Sequence, residues 1–160
     1  MTTKFTPDTT KAIRKWLKKN GFSVSCRLKR GKSAELEFDP NYNLIYVPET
    51  YDGSLDDYFV AWLKDHGLDT DLDVITLSIL HEIGHSETFK VFTEKEWLDC
   101  AAIKELIYAS DTTGKDAAYA YWNVNDEFAA NMWLIMFTKA FYTKAKKLSK
   151  KIHETVIMGE

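Results

Sequence analysis

The chain has 160 residues, 45% hydrophobic and 28% charged, with 21 Lys and Arg against 24 Asp and Glu for a net charge of −3. That length and balance fit one domain, residues 1–160, with a sizeable core, and exclude a disordered or fibrous chain. The slight acidic excess argues against nucleic acid as a partner, because broad binding needs surplus Lys and Arg to displace counterions from phosphates.

No apolar stretch follows Lys4, as a secretory signal would require, and the longest apolar run, 128–137, is broken by Asn131. That run is about half the roughly 20 residues of a membrane-spanning helix. The expectation is a soluble, cytoplasmic protein without membrane contact. Cys26 and Cys100 lack CxxC spacing and read as reduced packing residues.

Thr6 caps and Pro7 opens a helix that stops at Asn20-Gly21, with Ile13, Trp16 and Leu17 as its apolar stripe. The period then changes to two. Residues 22–28 and 34–38 alternate around a turn at Arg30-Gly31-Lys32, and a third strand from Asn43 to Val47 follows the turn Asp39-Pro40-Asn41. This pattern predicts a small antiparallel three-stranded meander. A helix to about residue 65 ends at His66-Gly67, with His66 serving the last carbonyls. Another, over 72–89, is capped by Asp71 or a neighbour, and Thr93-Glu94-Lys95-Glu96 is a capping box that opens a helix to about 109. After a loop at 110–115 comes a last long helical region, beginning at Asn123, Asn125 or Asp126 with an apolar centre over 128–142. Lys144, Lys146, Lys147, Lys150 and Lys151 form its solvated, dipole-complementing end.

The helix over 72–89 carries His81-Glu82-Ile83-Gly84-His85. Residues four apart share a helix face, so His81 and His85 can aim two imidazoles at one point. That arrangement suits Zn²⁺ with a third protein ligand and an open fourth position. Glu82 can reach a metal-activated water and act as general base. Gly84 costs about 1 kcal/mol relative to Ala in a helix interior. It is either merely tolerated or gives a neighbouring backbone or substrate room to approach.

The third ligand must come from elsewhere. His66 and His153, the remaining histidines, lie near the ends of elements, and Thr88 and Val91 occupy the Gly and third-His positions of the longer HExxHxxGxxH form. A carboxylate is needed. Glu127 heads the most apolar helix, where an unpaired charge is costly. It reads as the metal ligand or as a first-turn residue complementing the helix dipole. One turn on, Asn131 can hydrogen-bond the far nitrogen of a ligating imidazole.

His81-Glu82-Ile83-Gly84-His85 and Glu127-Phe128-Ala129-Ala130-Asn131 together resemble the gluzincin metallopeptidases, above all the minimal single-domain ImmA/IrrE-like members from phages and mobile elements. Larger gluzincins carry Asp where Asn131 stands, and the helix over 93–109 is additional to the compact family pattern. The resemblance implies an α+β fold, its small antiparallel sheet packed on a helical zincin core of motif helix and long C-terminal helix. It implies Zn²⁺ held by His81, His85 and Glu127 with Asn131 behind them, and a zinc endopeptidase using Glu82 as general base. By the same resemblance Asn43, Leu44, Ile45, Tyr46 and Val47 form an edge strand that holds a protein or peptide substrate by main-chain hydrogen bonds. Tyr46, Tyr119 and Tyr121 are near the motifs in order and could serve the oxyanion, none of them singled out. The rival readings are a non-catalytic zinc-stabilised regulatory or binding protein of the same fold, and a nucleic-acid-associated protein using the C-terminal lysines.

Overall fold

In a computed structural model of the chain, which describes residues 2–31 and 35–159, the first helix begins where the sequence puts it. Strand β1 (Thr3–Lys4) leads into α1 (Pro7–Lys19). The Thr6 hydroxyl accepts from the Thr9 amide at 3.2 Å, and α1 buries Ile13, Trp16 and Leu17. Strands β2 (Ser25–Lys29), β3 (Glu37–Asp39), β4 (Leu44–Pro48) and β5 (Thr50–Tyr51) follow. Then come α2 (Asp56–Asp65), α3 (Val74–Thr88), a 3-10 turn (Phe89–Val91), α4 (Glu94–Ala109), α5 (Gly114–Trp122), α6 (Asn125–Ala140), α7 (Tyr142–Thr155) and β6 (Ile157–Met158). With seven α-helices and two three-stranded sheets among the described residues, the fold is α+β. No helix among them is long and apolar enough to cross a membrane.

The first sheet runs β2-β4-β3, with β2 parallel and β3 antiparallel to β4, and this corrects the expected antiparallel meander. The apolar third strand has taken the centre. Ile45 and Val47 are fully buried, with Cys26 and Leu28 opposite them on β2, while β3 carries Glu37 and Asp39 and lies at the edge. The predicted turn at 30–32 and the start of the strand predicted over 34–38 fall partly outside the described residues. The second sheet, β5-β1-β6, is built from strands of two residues and ties Thr3 to both Tyr51 and Met158. Strands that short carry no period to read.

The long C-terminal helix is two helices. Phe141 leaves the helical region at φ −130°, ψ 43°, so that α7 can turn back and lay Ala145, Leu148 and Ile152 in the core. It runs antiparallel to α1: Trp16 Nε1 donates to the Lys144 carbonyl at 3.0 Å, and Thr6 Oγ1 to the Thr155 carbonyl at 2.9 Å. The segment over 114–122, assigned to no element in the sequence, forms α5 and buries Ala118 and Trp122.

Helix α3 sits at the centre of these layers. Ile75, Leu77, Ile79, Leu80 and Ile83 are all buried, and so are the polar His81, Glu82 and His85, so it is an internal helix with one polar face. Its N-cap is Asp73, which accepts from the Thr76 amide at 3.0 Å. Its closest neighbour is α6: a Cβ added at Gly84 would lie 2.5 Å from the Ala130 carbonyl oxygen. The missing side chain at Gly84 therefore makes room for a neighbouring backbone.

Candidate metal centre

Two helix faces meet beside Gly84. From α3, His81 and His85 turn toward α6, and from the first turn of α6 Glu127 turns back between them. Glu127 Oε1 lies 2.9 Å from His81 Nε2 and 3.1 Å from His85 Nε2, and Oε2 lies 3.0 Å from His85 Nε2. All three residues are buried, and their donor atoms lie within 4.8 Å of one another, a group that could hold a metal ion. Ligands placed tetrahedrally about 2.0–2.1 Å from a zinc ion stand about 3.3 Å apart, so the two distances from Glu127 Oε1, 2.9 and 3.1 Å, need only a few tenths of an ångström of adjustment.

His81 Nδ1 lies 2.6 Å from Asn131 Oδ1, which accepts its proton and fixes the ring so that Nε2 faces Glu127. Burial disfavours charge on His81, but the Glu127 carboxylate outweighs it and pushes the pKa up to about 9. Burial likewise opposes charge on Glu127, and the two imidazoles reverse it, holding the carboxyl well below its usual range. Two imidazoles and an ionised carboxylate are a donor set that a divalent ion satisfies by displacing the Nε2 protons. The far nitrogen of His85 is a different matter. Its Nδ1 is buried with no hydrogen-bond partner among the described residues, the ring lying between Phe38, stacked at 6.4 Å, and Trp97.

Glu82 lines a cleft of about 630 Å³ with His81 and Glu127. Burial raises its pKa, while the nearby imidazoles pull it down. Phe59, which meets the His81 ring edge-on, Tyr121 and Trp122 line the cleft as well. Tyr121 is the one of the three tyrosines noted in the sequence that lines this cleft. The Tyr119 hydroxyl instead donates to Asp65 at 2.8 Å, and Tyr46 lies under the Lys29 ammonium. Neither His66 nor His153 joins the group: His66 caps α2 through Nδ1 and the Trp62 carbonyl, 2.7 Å apart, and His153 Nε2 lies 3.0 Å from Asp73.

No family model, curated protein or solved structure matches the chain. The residues therefore carry the reading by themselves.

The strand expected over Asn43, Leu44, Ile45, Tyr46 and Val47 forms, but not at an edge of the sheet. Leu44, Ile45 and Tyr46 are paired on both sides, by β2 and by β3, and cannot receive a third strand. Val47 is buried in the core, and Asn43, in the left-handed region at φ 47°, accepts from Ser86 Oγ at 2.9 Å and so fastens the strand to α3. The edge beside the site is β3, whose Phe38 packs on His85.

Lys104 went unremarked in the sequence. Its ammonium lies 2.5 Å from Asp126 Oδ2 and 2.6 Å from Glu127 Oε2. Burial lowers its pKa, but the two carboxylates reverse this and raise it. The tandem acids at 126–127 were a signal that a cation was needed; nothing local indicated which one. Cys26 and Cys100 are both buried and free, and burial, only partly opposed by Arg14, pushes the Cys26 thiol up to about 12.

Proposed function

We propose that this protein is a zinc-dependent endopeptidase of the HExxH type, with His81, His85 and Glu127 as metal ligands and Glu82 as general base. One observation carries the reading: a carboxylate 42 residues beyond His85 and 46 beyond His81 in the chain meets both Nε2 atoms, and the intervening Glu82 opens onto the adjoining cleft. A divalent ion held there would lower the pKa of a water and polarise a scissile carbonyl. Glu82 takes the water's proton as it attacks and delivers it to the departing amine. Its raised pKa, the result of burial, suits a group that must both accept and release a proton. Asn131 fixes the His81 tautomer. An extended peptide fits the edge of β3, unpaired among the described residues, rather than β4, and main-chain hydrogen bonds there can align it with the cleft.

The near-complete burial of Glu127 and both imidazoles also suits a non-catalytic, zinc-stabilised binding protein. Glu82 on the cleft favours the enzyme, because a structural site needs no base. Glu82→Gln separates the two: on the endopeptidase reading it retains zinc and loses cleavage of an unstructured protein substrate. Full cleavage by that variant refutes the assigned base. Zinc binding with no cleavage by the parent protein favours the binding role.

A further inference from the structure

Apolar packing anchors only the start of α4, where Trp97 meets Phe89, Phe92 and the His85 ring. Of its residues only Cys100 is buried, while Leu98, Ile103, Leu106 and Tyr108 face solvent. Its inward contact with α6 is polar. Lys104 reaches Asp126 Oδ2 at 2.5 Å and Glu127 Oε2 at 2.6 Å, with the Tyr121 ring centre 5.2 Å from its ammonium. The two oxygens of Glu127 are thus used differently. Oε1 faces both imidazoles, while Oε2 receives the lysine and one imidazole.

That division matters for coordination. A carboxylate with both oxygens free can clamp an ion through the pair and so fill the position that an attacking water needs. A strong N–H donor on one oxygen removes that option. It also fixes the rotation of the carboxylate, so that the remaining oxygen is aimed before any ion arrives. A lone lysine would partly neutralise the ligand it orients. Asp126 counters this: it shares the ammonium, and its Oδ1 accepts the Glu127 amide at 2.9 Å, holding the trio in one arrangement.

We propose that Lys104 is a positioning residue that reserves Glu127 Oε2 so that Glu127 ligates through Oε1 alone, with Asp126 offsetting the lysine's charge. The helix that is additional to the compact gluzincin pattern thereby acquires a role, delivery of this cation. The inference rests on the metal centre proposed above.

Cobalt(II) in place of zinc tests it on the full chain without any substrate, since its visible absorption is intense in four-coordinate sites and weak at higher coordination. The parent protein and Lys104→Arg should give the intense band. Lys104→Met, of similar length and without donor or charge, should give a weak one while still holding zinc in chelator competition. A Lys104→Met protein with the parent's spectrum overturns the assignment. Asp126→Asn provides a second variant should Lys104→Met not fold: it should keep the intense band but bind zinc less tightly, and an undiminished affinity contradicts the charge-offsetting role. If the parent chain itself takes up neither zinc nor cobalt, the metal centre fails and this inference goes with it, whereas normal loading with insensitivity to Lys104→Met sinks only the inference.

Discussion

Gly84→Ala sets two opposite effects against each other. In a solvated helix interior the change would stabilise by about 1 kcal/mol. Here the new Cβ would lie 2.5 Å from the Ala130 carbonyl oxygen and 3.1 Å from Ala130 Cα, where ordinary contact begins at 3.4 Å. Both atoms are backbone, so α3 and α6 must part by about 0.9 Å. Overpacking of this kind costs about 1–3 kcal/mol, which leaves a net loss of about 0–2 kcal/mol in the metal-free protein. The parting also divides the donor set, with His81 and His85 on one helix and Glu127 and Asn131 on the other. Metal–ligand bonds tolerate only about 0.2 Å, so zinc affinity should fall by at least about 10-fold. Urea unfolding with and without zinc reads both effects, because a weaker site yields less zinc-dependent stabilisation. A Gly84→Ala protein that is about 1 kcal/mol more stable than its parent and binds zinc equally well would refute the close approach of the helices and the reasoning built on it.

Asn131→Ala removes the acceptor for His81 Nδ1 and should lower zinc affinity by about 10-fold or more, checked by the same chelator competition, while far-UV circular dichroism stays unchanged. Asp73→Ala removes the cap of α3 and should cost about 1–2 kcal/mol at pH 7. Burial resists charge on Asp73, but hydrogen bonds from Thr76, Ser149 and His153 outweigh it and depress its pKa. A carboxyl depressed in the folded state stabilises above its unfolded pKa of about 3.9, and that contribution disappears as pH falls through the folded value. The parent's advantage over Asp73→Ala, measured by urea unfolding, should therefore be full at pH 7 and shrink below about pH 4; an advantage independent of pH would show that the carboxylate's charge plays no part.

The site was legible where its geometry is local. His81 and His85 are one turn apart, so helical periodicity alone brings them together, and the cap at Thr6 and the capping box at Thr93 marked helix starts because their partners lie three residues away. Glu127 could be inferred because a charge at the head of so apolar a helix needs a partner, and its burial bears out that pressure. Lys104 was not legible: its pairing spans 22 and 23 residues, and a single lysine on a charged helix looks solvated. Strand pairing failed for a related reason. Alternation reports which face of a strand is buried and says nothing about which neighbour takes its edge, so the shift of β4 from edge to centre left no trace in the pattern. The break at Phe141 was hidden because an apolar run continues through it.

Zinc content is the most direct test. Elemental analysis of the purified chain after exhaustive dialysis should find about one zinc per molecule, with Glu127→Ala retaining far less under the same conditions. A parent protein that binds no stoichiometric metal, or a Glu127→Ala protein that holds zinc as firmly as the parent, would contradict the convergence of His81, His85 and Glu127 on one ion.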